Sequence, residues 1–482
     1  MIRMRDDAID SVPVQTSHGP VIGRRSGETV RFLGIPYALP PFGARRFALP
    51  EEVPAWTEPR DATAHGATAP QDPYFGALGE LLGSVEIPGD DILTVNVWAP
   101  VDALSPGGAP VFVWYHGGAL ERGTAALPAY DGAAFARDGI VFVSINHRIG
   151  AEGFSVLDGA PRNLGLSDAA AGLRWVQREI AAFGGDPAQI TIAGESAGGA
   201  LVAALLSRPD TASIPRAAII ESGPLEAVPV ARAARVTQAT AKKLKVPATR
   251  EAFAALTPRQ LLDARRALAE GSSPLSGVAG YTLAIDPDSL PVSPVEALPR
   301  LGIPLLIGTN SDEYRLWFTP AQLAAISPLK LEPARLATRI RRSAVRAYHE
   351  ALPGASAGEI LGQIVTDRML RGPALKVAGA KRSPTYVYEF AWRSPVRDLR
   401  AAHALEIGFV FDRVDAAESR QLVGDAAPQQ LADRMHADWV RFTRSGDPGW
   451  PAYDAGRQVQ VFDTECRIEP VRRAAAVDAL AG

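Results

Sequence analysis

Gly194-Glu195-Ser196-Ala197-Gly198 is the stretch of this sequence with the clearest capacity for chemistry. A serine hydroxyl is a weak nucleophile until a base within hydrogen-bond reach takes its proton. That base needs a third group to fix its tautomer and steady its charge. Glycines two residues to either side of a serine let neighbouring main chain pass close to a strained turn that projects the side chain. As a bare pattern the pentapeptide is weak, so its surroundings decide. It follows the apolar run 189–193 and opens into the small-residue stretch 199–206, which places Ser196 between a buried strand and a helix.

On such an elbow the partners follow the serine in the order acid, then histidine. Of the seven histidines only His349, His403 and His436 come after Ser196. His349 and His436 fall inside helical patterns. His403 stands in the loop-like stretch 400–407, past a strand ending near Trp392. Asp312 and Glu313 both follow a strand that ends at Gly308, and the residues alone leave the choice between them open. Acyl chemistry also needs main-chain N–H groups aimed at the oxyanion, each typically worth ~3 kcal/mol of transition-state stabilisation. Tyr115-His116-Gly117-Gly118-Ala119 is a glycine-rich turn past a buried strand whose amides can point inward, and the amide of Ala197 completes the set. With a histidine base, activity should fall as pH drops through roughly 6 to 7.

The elements that must hold these residues read as alternating strand and helix. Short β-like runs at 12–16, 21–24 and 30–33 suggest a small antiparallel start, and 91–98 and 110–115 are further strands. A helix at 131–138, a strand at 140–146 and a helix at 167–183, with Ser167 as N-cap and Gly184 as stop, lead to the nucleophile strand. Strands follow at 216–221, 304–308, 385–392 and 459–462, and a last long helix at 429–444. This alternation implies right-handed crossovers and a mostly parallel sheet, with the ligand crevice at the carboxyl ends of its strands. Residues 64–91 read as a long surface loop, and 230–270 and 320–350 as helical. With no internal repeat and no separating linker, residues 1–482 are expected to form one catalytic domain with helical insertions at about 224–300 and 314–380.

Composition narrows the function classes. At 47% hydrophobic and 21% charged residues, the chain can build a large core and is far from a disordered profile. A net charge of −3 offers no general attraction to nucleic acid or anionic membrane, and no run reaches the ~18 apolar residues of a membrane span. Cys466 is the one cysteine and the N-terminal stretch lacks an apolar core, so a cytoplasmic location is expected. There is no HExxH, no cysteine–histidine ligand cluster and no GxxxxGK, so neither a metal nor a cofactor is expected. The expected partner is a small-molecule ester, with the chain a monomer or homodimer.

Several separated motifs together resemble the type-B carboxylesterases of the α/β-hydrolase superfamily, in the p-nitrobenzyl-esterase-like branch. They are Asn146-His147-Arg148-Ile149-Gly150, Asn163-Leu164-Gly165-Leu166-Ser167-Asp168, Phe183-Gly184-Gly185-Asp186-Pro187, the Ser196 pentapeptide, Gly308-Thr309-Asn310-Ser311-Asp312-Glu313 and His403-Ala404-Leu405-Glu406-Ile407. The resemblance runs from about Val21 to Phe462. It implies the α/β-hydrolase fold, Glu313 as the acid, His403 as the base, and Gly118, Ala119 and Ala197 as oxyanion donors. Many secreted members carry a cysteine where this chain has Asp90-Asp91-Ile92-Leu93, so the disulfide they form is absent here. Cholinesterases hold a quaternary ammonium against a tryptophan in the early loop, whereas 66–90 offers only Tyr74 and Phe75.

The resemblance implies a serine carboxylesterase for small to medium esters. The alternatives are a non-catalytic binding module on the same fold, opposed by the intact Ser196, Glu313 and His403, and a long-chain lipase, for which no strongly apolar lid is evident. His116 and Glu195 read as residues that orient backbone, His147 as a packing residue, and Arg148 with Asp168 as polar contacts beneath the site. Ser222 is either a hydrogen-bond donor behind the site or a strand-end turn serine. Trp317 and Phe318 line a pocket or pack in the core. Arg335, Arg339, Arg342 and Arg346, at helical spacing, read as one solvated helix face.

Overall fold

The computed structural model describes residues 10–104, 108–270, 280–337 and 339–481. Its strands are β1 (Ser11–Gln15), β2 (Pro20–Ser26), β3 (Thr29–Pro36), β4 (Arg60–Asp61), β5 (Thr94–Pro100), β6 (Ala109–Tyr115), β7 (Val141–Ile145), β8 (Gly185–Glu195) and β9 (Ala217–Glu221). They continue with β10 (Val228–Pro229), β11 (Ala284–Ile285), β12 (Leu305–Asn310), β13 (Thr385–Phe390), β14 (Gln458–Phe462) and β15 (Arg467–Pro470). All but β10 and β11, which pair with each other, join one sheet in the order β1-β2-β3-β5-β7-β6-β8-β9-β12-β13-β14-β15, with β4 beside β2. From β7 to β14 every neighbouring pair is parallel. The edges are antiparallel: β1, β2, β3 and β5 on one side, β15 on the other. This is the expected α/β-hydrolase arrangement, with the N-terminal strands extending the main sheet.

The central strands are covered on both faces, which is why they read as continuous apolar runs. Along β6, Val111, Val113 and Tyr115 point into one core and Phe112 and Trp114 into the other, the two-residue alternation of a pleated strand. Helices α1 (Leu164–Glu179) and α2 (Ala197–Leu205) contribute Leu166, Leu173, Leu201 and Leu205 to the first core. On the opposite face lie Phe411 and Trp439.

Residues 230–270 form helices α3 (Val230–Leu244), α4 (Arg250–Ala254) and α5 (Pro258–Glu270). The second helical region contains α6 (Pro320–Ala324), α7 (Pro328–Ala337), α8 (Arg342–Ala351), α9 (Ala357–Thr366) and α10 (Gly372–Ala380). Arg335 thus lies on α7, Arg342 and Arg346 on α8, and Arg339 in the turn between, so the expected single arginine face does not exist. Later helices are α11 (Ala417–Val423), α12 (Gln429–Ser445) and α13 (Ala474–Ala481).

Two boundaries differ from expectation. Helix α1 begins at Leu164, after Asn163 at φ 53°, so Ser167 is not the N-cap; its N–H already donates to Asn163 O at 3.0 Å. A left-handed asparagine ahead of the helix does not carry the usual cap signal, since N-caps normally sit in the β region. Gly184 does end the segment, at φ 83°, after a short turn of 3-10 helix. Strand β5 starts at Thr94, leaving Asp91 to Leu93 in the preceding loop.

Candidate active site

Strand β8 ends at Glu195 and α2 begins at Ala197, so Ser196 alone makes the turn, at φ 54° and ψ −120°. Backbone of that kind is costly for a residue with a β-carbon and persists only where surrounding structure enforces it. Enforcement comes from both sides. The Ser196 N–H donates to Glu221 O on β9 at 2.8 Å, and a β-carbon on Gly198 would stand 1.9 Å from Tyr115 O on β6. The pentapeptide glycine therefore answers to a close approach of main chain, as its position suggested.

Ser196 Oγ lies 2.7 Å from His403 Nε2, and His403 Nδ1 lies 2.6 Å from Glu313 Oε2. The other oxygen, Glu313 Oε1, accepts from the Ser222 hydroxyl at 2.6 Å and from the Asn310 N–H at 2.8 Å. Glu313 is thereby held at both oxygens, and Ser222 is a hydrogen-bond donor to its carboxylate. Asp312, its rival, faces away from the histidine: its N–H donates to Ala401 O at 2.9 Å and its carboxylate lies 3.9 Å from Arg315 Nε. The loop that carries His403 is stitched to the loop that carries Glu313. Asn310 Nδ2 donates to Ala402 O at 2.7 Å, and the His403 N–H donates to Glu313 O at 3.3 Å.

Further acids surround this chain of bonds. Glu195 Oε1 lies 3.1 Å from the same His403 Nε2 that meets Ser196, and Glu406 Oε2 accepts from Asn310 Nδ2 at 2.5 Å. Both glutamates are buried. Burial, with repulsion among Glu195, Glu406 and Glu313, pushes the carboxyls of Glu195 and Glu406 well above their usual range. For His403, burial favours the neutral ring, but the charges of Glu195 and Glu313 outweigh it and push the imidazole up. His116 is no competing base: burial pushes it down to about 4, and its Nδ1–H donates to Gly117 O at 2.8 Å. It stacks on His147 with ring centroids 4.6 Å apart, as a packing pair. Arg148 grips Asp168 through Nε at 2.7 Å and Nη2 at 2.6 Å, the expected buried contact.

The turn after β6 brings Gly118 (φ 115°) and Ala119 (φ 57°) to the wall of the cavity that also exposes Ser196 and His403. A β-carbon on Gly118 would stand 2.1 Å from Arg122 O, so the turn is closed on itself. Among the described residues, no main-chain carbonyl claims the N–H groups of Gly118, Ala119 or Ala197 outside regular elements. The last of these is the first residue of α2, where helical N–H groups lack partners. The cavity measures about 150 Å³, and its walls are largely apolar, with Leu78, Leu82, Leu127, Leu405 and Leu422 among them. Trp317 stands at the wall with its ring centroid 4.7 Å from that of His403, while Phe318 does not line it. Among the described residues no group of three or more His, Cys, Asp or Glu side chains is placed to hold a metal ion.

Asn310 and Glu406 were not singled out from the residues. The signal was their placement, three residues before Glu313 and three after His403, where side chains fall back onto the same loops.

A sequence model of the carboxylesterase family matches residues 10–468. The chain is 34% identical over 479 residues to a para-nitrobenzyl esterase of Bacillus subtilis, covering 95% of this chain and 96% of that protein. It is 33% identical to a phenmedipham hydrolase of Pseudarthrobacter oxydans, covering 88% and 89%. A crystal structure of a carboxylesterase of Geobacillus stearothermophilus superposes with a TM-score of 0.86 at 34% identity, over 97% of this chain and 99% of that one.

Proposed function

From the premise that the chain belongs to the carboxylesterase family and is a carboxylic ester hydrolase, we propose that Ser196, His403 and Glu313 are its catalytic triad. His403 Nε2 takes the proton as Ser196 Oγ attacks the ester carbonyl, and later gives it to the departing alcohol. Glu313 steadies the imidazolium at Nδ1 throughout. The N–H groups of Gly118, Ala119 and Ala197 receive the oxyanion, and water then releases the acid from the acyl-enzyme. The observation that carries this reading is the unbroken run Ser196 Oγ, His403, Glu313 at 2.7 and 2.6 Å.

Esters of small to medium size suit a cavity with mostly apolar walls. The name of the Bacillus relative adds p-nitrobenzyl esters as substrates to try. The decisive measurement is hydrolysis of p-nitrophenyl acetate and butyrate by wild type and Ser196→Ala. The variant should lose at least about a thousandfold in kcat. Equal rates would remove the serine from the mechanism and favour a binding module.

The continuous sheet from Ser11 to Pro470 supports a single catalytic domain. No helix among the described residues is long and apolar enough to cross a membrane. Work in the cytoplasm as a monomer or homodimer is the finer reading, supported by the lone Cys466, which cannot form an internal disulfide. Cell fractionation and light scattering check it.

A further inference from the structure

Glu418, in the first turn of α11, lines the same cavity as Ser196 and His403. Its stem packs where a β-carbon on Gly83 would stand, 2.5 Å from Glu418 Cγ, so the side chain is located by the opposite wall. One of its oxygens, Oε2, is sealed from solvent and has no hydrogen-bond partner, and no arginine, lysine or histidine lies within ion-pair distance among the described residues. Nor does any lysine or arginine among the described residues line the cavity. Among the other polar side chains of the wall, Gln71 is committed to Ala69 O and to both main-chain groups of Gly123, and Glu195 lies 3.1 Å from His403 Nε2. The short helix dipole compensates a first-turn carboxylate only in part. A half-buried carboxylate with no cation of its own is a costly group to keep in an apolar wall.

We infer that Glu418 is a specificity-determining residue that selects esters carrying a protonated amine, whose ammonium group pairs with its carboxylate while the ester carbonyl sits at Ser196. Aliphatic amines are protonated at neutral pH, and an N⁺–H···O⁻ bond is about twice as strong as a neutral one. This mode of holding a cation differs from stacking on an aromatic ring, so the lack of a tryptophan in the early loop does not oppose it. The reaction is ordinary ester hydrolysis; the amine takes no part in bond making or breaking. The inference rests on the esterase reading and deepens it.

The test compares two matched substrate pairs at neutral pH. One is dimethylaminoethyl butyrate with its uncharged isostere isopentyl butyrate, which places the amine on the alcohol side. The other is ethyl γ-dimethylaminobutanoate with its uncharged carbon isostere, which places it on the acyl side. In wild type at least one amine ester should exceed its isostere in kcat/KM. In Glu418→Gln that ratio should fall about tenfold, as loss of one charge-assisted hydrogen bond implies. Because the ratio is taken on one protein sample, it does not depend on the folded fraction. If neither pair shows a preference in wild type, or if the ratio is unchanged in Glu418→Gln, the inference is overturned while hydrolysis of p-nitrophenyl butyrate keeps the esterase reading intact. If wild type hydrolyses neither p-nitrophenyl butyrate nor any of the four esters, the esterase reading fails and takes this one with it.

Discussion

As the proposed base, His403 would act only while its ring is neutral, so its surroundings would set the acid side of the pH profile. The charges of Glu195 and Glu313 raise its pKa above the ordinary 6.5 despite burial. Catalysis is then present above the raised value and lost as pH falls through it. The limb in kcat/KM should lie higher than 6.5, above part of the range that an unperturbed histidine would give. Glu195→Gln removes the largest raising charge, and its limb should move to lower pH. A wild-type midpoint at or below 6.5, or an unmoved limb in the variant, would contradict this account. At this scale the sequence marked Ser196 and His403 by order and context alone. The residues alone left Asp312 and Glu313 level because adjacent residues share a loop; the family resemblance implied Glu313, and in the fold it is that carboxylate that meets His403, at 2.6 Å.

At the scale of elements, the loop after β12 depends on helices that come much later in the chain. Arg371, just before α10, donates to Asn310 O at 3.2 Å and pairs with Glu389 of β13 at 2.8 Å. Arg473, just before α13, reaches Ser311 O at 3.4 Å and Asp367 at 3.3 Å. Burial would raise the Glu389 carboxyl, yet Arg371 and Arg473 hold it down to about 2. Arg371→Met would leave the buried Glu389 without its ion-pair partner, at a cost of about 3–5 kcal/mol. It should also lower kcat by releasing the Glu313 loop. Thermal melting and steady-state kinetics check both halves, and a lower melting point with unchanged kcat would reduce the network to scaffold. None of this was visible beforehand, because ion pairs between residues so distant in sequence leave no periodic trace. Strand β15 escaped for a related reason: Arg-Ile-Glu-Pro is short and largely exposed, with no apolar alternation to announce it. Strands covered on both faces, such as β6 and β9, were legible to within a residue or two.

Across the whole molecule, the members of the proposed triad are 207 and 90 residues apart in sequence and meet only because one sheet sets β8, β12 and β13 close together. Alternation of strands and helices foretold that sheet, and the long insertions did not disturb its order. The packing of those insertions over the cavity followed from no local pattern, since it depends on side chains meeting across the fold. The turn at Ser196 has a consequence for the entire fold. A backbone posture at φ 54° and ψ −120° disfavours every residue with a β-carbon, and glycine would adopt it freely. Ser196→Gly should therefore melt at a higher temperature than wild type, by roughly 1 kcal/mol of added stability, while hydrolysing nothing. Selection for durability alone would discard the proposed nucleophile, so a serine at this posture is the mark of a molecule kept for turnover.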